Sequence, residues 1–216
     1  MLNTKMEQAP ARIFLATHRQ EEKSYGYRSL CTSFNGNQFE LQIKECALQS
    51  EKSYFCKLPN SHSCLVLPLS GNLHVTIKEK TQDLIVETAA VLTENFILEN
   101  TYSSSTVHFL QVIWPSDLQK DLIDLTVLSK RNQLHPLFED REKLFAYIGK
   151  YDGRVDGALK ISSASEVFGY VVGGVFEFQN RLLQERDALW VSNINELAFE
   201  GLAYQGIILL FVVKGD

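Results

Sequence analysis

The chain has 216 residues, of which 45% are hydrophobic and 22% charged, with a formal net charge of -5. That length accommodates two domains of roughly a hundred residues each. The negative balance supplies no basic field for a phosphate backbone, which argues against nucleic acid as a direct ligand. The apolar runs are strand-sized, short of the roughly 20 residues that a membrane helix needs.

Taken in chain order, residues 1–12 are polar and lack the apolar segment of a secretory signal, so a cytoplasmic location is expected. Cys31, Cys46, Cys56 and Cys64 crowd into the first third without a CxxC pair. Reduced, half-buried thiols are expected there rather than a disulfide or a cysteine-metal site. Residues 38–48 open with the period-two alternation of a half-buried strand. Residues 65–75 read as strand, glycine turn at Gly71 and strand, a hairpin followed by further strands at 85–92 and 107–114. Pro115 to Asp121 break the pattern, and with the short apolar stretch 122–128 and polar 129–133 they read as a connector. Asp140 to Lys143 form a helical turn or a surface loop, and residues 144–150 a strand ending at Tyr151-Asp152-Gly153. The earlier order then returns in 169–178, 183–190 and 207–213, with Glu87 over Glu185 and Ala90 over Ala188. Two all-β domains of one kind follow, residues 1–130 and 131–216, with little helix.

Several short stretches carry a resemblance. Tyr25-Gly26-Tyr27-Arg28-Ser29, Leu67-Pro68-Leu69-Ser70-Gly71-Asn72-Leu73, Phe109-Leu110-Gln111 and residues 144–153 occur in the order of motifs in the pirin and quercetin-dioxygenase-like bicupins, which this chain resembles over almost its whole length. The resemblance implies a tandem double-stranded β-helix, that is, two cupin barrels. It also implies a divalent metal in the first barrel, usually iron, held by a His-x-His pair and a later His and Glu. Counting back from Gly71 puts Lys57 and Pro59 at the His-x-His positions. Proline has no side-chain donor atom and lysine is protonated at neutral pH, so neither replaces an imidazole. The window 96–104, where the later pair belongs, contains Glu99 and no histidine. The chain is therefore expected to hold no metal and no other cofactor, and to lack quercetinase-like dioxygenase activity.

The five histidines offer no substitute pair with HxH or HxxxH spacing. His62, at the mouth of the central strand, points either into the barrel or to the surface. His74 and His108 alternate with apolar neighbours and are expected to face solvent, and His18 and His135 fall in polar or connecting segments. Residues 141–216 contain neither histidine nor cysteine. The candidates at the first barrel mouth are Lys57, His62, Glu99 and Tyr102. Ser103 to Thr106 form a polar loop without the glycines of a nucleophile elbow. Two functional readings stand. One is a metal-free binding or regulatory module, monomer or homodimer, whose partner is an unknown protein or a small aromatic ligand. The other is a cupin enzyme, either a dioxygenase with an unrecognised metal site or a metal-free isomerase or epimerase. A third possibility is a structural partner of a metal-bearing relative.

Overall fold

The computed structural model describes residues 9–36, 39–141, 143–162 and 165–215; residues 1–8, Gln38 and Glu142, which the sequence reading used, lie outside that set. Among the described residues, twenty-one strands account for nearly all regular structure, with two short 3₁₀ turns at Ala16–His18 and Thr126–Ser129. Among the described residues no helix is long and apolar enough to cross a membrane. The chain forms two units, Arg19–Val127 and a second that joins Leu128–Asp216 to the N-terminal residues through His18.

The first unit pairs a seven-stranded sheet with a four-stranded one. The larger runs in the order Lys120–Asp124, Thr88–Leu92, His62–Ser70, Val107–Pro115, Glu40–Leu48, Tyr27–Asn35 and Gln20–Ser24. The smaller runs Lys52–Cys56, Phe96–Asn100, Leu73–Ile77 and Lys80–Leu84. The second unit repeats this plan. Its six-stranded sheet runs Ala11–Phe14, Ala188–Ser192, Glu166–Gly173, Gly206–Val213, Leu144–Tyr151 and Gln133–Asp140. Its four-stranded sheet runs Val155–Lys160, Glu196–Gly201, Phe176–Phe178 and Arg181–Leu183. The fold is an all-β double cupin.

Alternation along each strand builds the cores, because successive side chains point to opposite faces. The first core gathers residues such as Leu48, Cys64, Val66, Val75, Leu98 and Phe109. The second is more aromatic, with Phe199 edge-on to Tyr151 at 5.0 Å and tilted against Phe178 at 5.5 Å. Gly157 opens the space for that cluster, since a Cβ there would lie 2.3 Å from the Phe199 ring.

Four expectations need correction. The strands flanking Gly71 do not pair with each other: His62–Ser70 belongs to the seven-stranded sheet and Leu73–Ile77 to the four-stranded one. Gly71 and Gly174, at φ of 75° and 85°, are therefore corners that carry the chain from one sheet to the other, not hairpin turns. The expected connector contains a strand, Lys120–Asp124, that pairs along Thr88–Leu92 as the sheet edge. The N-terminal strand Ala11–Phe14, placed by sequence in the first domain, pairs with Ala188–Ser192 of the second unit. Finally, Cys64, Leu92 and Ile113 share an inward row in the first unit, and Val167, Val191 and Val212 in the second. The counterpart of Ala90 is then Leu189 rather than Ala188, a one-residue slip that changes the sheet face. Near the expected helical turn or loop, the Lys143 amide donates to the Asp140 carbonyl at 3.0 Å.

Candidate functional site

The interior of the first barrel is the place where the resemblance implies a metal. The strand Val107–Pro115 turns Val107, Phe109 and Gln111 inward, and Gln111 is 1% exposed. A buried amide must find partners, and Gln111 has them on three strands. Its Oε1 accepts from the Tyr27 hydroxyl at 3.4 Å and the Cys46 thiol at 3.5 Å, and its Nε2 donates to Cys56 Sγ at 3.4 Å. Tyr27 Oη and Cys46 Sγ are themselves 3.2 Å apart. The Tyr27 ring stacks on Tyr54 with centroids 3.6 Å apart and planes within 7°. Cys64 completes the lining, fully buried beside Leu92.

Burial sets the protonation of this cluster. Desolvation pushes the Cys56 thiol up to about 11 and raises Cys46, Cys64 and the Tyr27 phenol. At neutral pH these four side chains are therefore uncharged. In that state the thiols are poor nucleophiles, since the thiolate is the reactive form. A cation, Lys44, stands beside Gln111 in the strand register. Burial opposes its charge, but its ammonium pairs with Glu22 at 2.9 Å and its pKa is raised.

The segment after Lys52–Cys56 sends Cys56 and Leu58 into the core, 5% and 6% exposed, while Lys57 and Pro59 are exposed. The Leu58 amide is fixed by Asn95 Oδ1 at 2.9 Å. Strand alternation likewise buries Phe96, Leu98 and Asn100, and turns Glu99 to the outer face opposite Ser53 and His74. Asn100 has a structural task, donating through its amide to the Leu48 and Ser105 carbonyls at 3.0 and 2.7 Å.

At one mouth of the barrel lies a cleft of about 200 Å³. Ser33, Asn35, Glu40, Gln42 and His62 line it with polar groups, over Leu41, Ile113, Pro59 and Pro115. His62 Nδ1 is 2.8 Å from the Asn60 carbonyl and Nε2 is 3.6 Å from Glu40 Oε1. Tyr102 does not join this cleft: its hydroxyl accepts from Asn72 Nδ2 at 2.8 Å. Asn72 follows the Gly71 corner, and the nine-residue strand from His62 to Ser70 separates the two ends by about 27 Å. Of the sequence candidates, His62 and Pro59 meet at the cleft, while Lys57, Glu99 and Tyr102 stand outside it.

A divalent-metal centre of imidazoles and a carboxylate does not fit these residues. The interior offers protonated thiols, an amide and a phenol. Among the described residues no three His, Cys, Asp or Glu side chains are grouped to hold a metal ion. The Tyr27, Cys46, Cys56 and Gln111 network escaped the sequence reading. A signal existed in Val107-x-Phe109-x-Gln111-x-Ile113, where one polar residue interrupts an inward apolar set.

No family model and no curated protein matches the chain. Solved structures do. Bacterial pirin YhhW from Escherichia coli, determined with nickel(II), superposes with a TM-score of 0.81 at 10% identity over 96% of this chain and all of the other. YhaK from Escherichia coli gives 0.71 at 9% identity over 86% and 94% of the two chains. A cupin 2 conserved barrel domain protein from Leptotrichia buccalis gives 0.60 at 11% identity, over 94% of this chain and 96% of the other. These likenesses establish the cupin fold.

Proposed function

We propose that this chain is a double-barrel cupin acting as a metal-independent binding module, with its ligand site in the cleft at the first barrel mouth. The observation that carries this reading is the closed, uncharged network of Tyr27, Cys46, Cys56 and Gln111 at the centre of that barrel. YhhW was solved with nickel(II), but the network at the centre of this barrel has no imidazole or carboxylate to hold such an ion, and among the described residues no three His, Cys, Asp or Glu side chains are grouped as a metal site. The mouth cleft supports a ligand instead, combining a carboxylate, an imidazole and amides over an apolar floor. Its volume is below the several hundred cubic ångströms of a drug-sized pocket, which favours a single polar aromatic ring over a flavonol.

The test is thermal denaturation of the purified protein with catechol, hydroxybenzoates and nickel(II) as separate additions. A single-ring compound is expected to raise the melting temperature, and His62→Ala and Glu40→Gln to remove that shift. Nickel(II) is expected to leave no near-stoichiometric metal after desalting. Retained metal, or a ligand shift unaffected by both substitutions, overturns the reading.

A further inference from the structure

The outer face of the first unit's four-stranded sheet carries a second constellation, on the opposite side of that sheet from the barrel interior. Antiparallel pairing sets Ser53, Glu99, His74 and Asp83 side by side across four strands. His74 Nδ1 lies 2.6 Å from Asp83 Oδ1, and its Nε2 lies 2.8 Å from Thr101 Oγ1. With the imidazole in its neutral form, the Asp83 carboxylate accepts from Nδ1–H and Nε2 accepts from the Thr101 hydroxyl. Carboxylate, imidazole and alcohol in this sequence of hydrogen bonds are the parts of an activated hydroxyl nucleophile.

Thr101 is exposed, yet its loop is braced. The preceding Asn100 ties that loop to the Leu48 and Ser105 carbonyls and accepts the Tyr102 amide at 3.1 Å. The surroundings also select. Glu99 stands opposite His74 in the strand register and Asp83 flanks the ring on its other side, so an anionic substrate is repelled. Phe55 and Ile97, 57% and 37% exposed, pair with each other two residues along the same face and offer apolar surface.

We propose that Thr101 is an acyl-accepting nucleophile for neutral carboxylic esters, with His74 as its general base and Asp83 as the residue that positions the imidazole. Thr101 Oγ1 bonds to the ester carbonyl carbon as its proton passes to His74 Nε2. The bond from that carbon to the alcohol oxygen then breaks, and the alcohol leaves with the proton from Nε2. A threonyl ester remains. Water, deprotonated by the same nitrogen, attacks it, releases the carboxylic acid and restores the hydroxyl.

The test uses p-nitrophenyl acetate on the full chain, with peptide mapping by mass spectrometry and p-nitrophenol release as readouts. Acetylation is expected at Thr101, absent in Thr101→Val and retained in Thr101→Ser. General-base assistance contributes on the order of 100-fold or more, so His74→Ala is expected to slow labelling at least tenfold, with partial recovery on adding imidazole. Asp83→Asn is expected to slow it without moving the melting temperature, and Asp83→Glu to recover it. An unlabelled Thr101 in the wild-type chain, or labelling there at an unchanged rate in His74→Ala, overturns the assignment.

Discussion

Gln111 holds the centre of the first barrel together by hydrogen bonds to buried, neutral groups, and their burial has a consequence for the pH dependence of stability. The Cys56 thiol is raised to about 11 by desolvation, against an ordinary value near 8.5 in an unfolded chain. Above the unfolded value the native state holds a proton that the unfolded chain has released. The stability contribution is therefore complete below about pH 8.5 and is lost as pH rises through about 11, at about 1.4 kcal/mol per pH unit for such a group. Cys46, Cys64 and Tyr27, raised by the same cause, act in the same direction. The urea midpoint is thus expected to fall steadily above about pH 8.5, and Cys56→Val to shallow that slope. A midpoint flat to pH 10.5 would show that these thiols ionise in the native state.

Among the elements, the two corners carry the strongest backbone requirement. Gly71 and Gly174 occupy corresponding turns, both left-handed, but their neighbours differ. A Cβ at Gly71 would meet a Val107 methyl at 2.9 Å, whereas at Gly174 it would meet the Gly206 backbone at 2.8 Å. A side chain can shift more cheaply than paired main chain. Gly71→Ala is expected to cost about 1–2 kcal/mol and Gly174→Ala roughly 1 kcal/mol more, read from denaturant midpoints at constant slope. The sequence made these glycines visible as punctuation between apolar runs, and the repeat in strand order along with them. Which sheet each flanking strand joins was not legible, because a turn glycine serves a hairpin and a corner equally well. Similarly, His62 could be placed at the mouth because it opens the central strand, but Glu99 could not be assigned a face while the register of Phe96–Asn100 was open. One residue of register decides whether Leu98 and Asn100 or Glu99 enter the barrel. The network of Gln111 with Tyr27, Cys46 and Cys56 was not legible for a related reason: its members converge from separate strands, and no local spacing announces a network built across a sheet, although the expectation of reduced thiols agrees with four free cysteines.

For the molecule as a whole, the decisive connection is the one between the chain's beginning and its second unit. Ala11–Phe14 hydrogen-bonds along Ala188–Ser192, and the attachment extends beyond the strand. The Ser192 amide donates to the Pro10 carbonyl at 3.1 Å, Arg181 to the Ala9 carbonyl at 3.2 Å and the Ala16 amide to Asp187 at 2.8 Å. Phe14 packs its ring 5.6 Å from that of Phe168. In the first unit the corresponding edge is covered by Lys120–Asp124, a strand that follows the barrel instead of preceding it. The second unit therefore cannot complete its larger sheet from residues 128–216 alone. Removing residues 1–15 leaves Ala188–Ser192 as an open edge in an apolar sheet, a template for association between chains. The two tryptophans report separately, with Trp114 in the first unit and Trp190 in the second. In the truncated chain, Trp190 fluorescence in a Trp114→Phe background is expected to change at lower urea than Trp114 fluorescence in a Trp190→Phe background, with lower soluble yield. Coincident transitions at the full-length midpoint would mean that the N-terminal strand adds no stability to the sheet it joins.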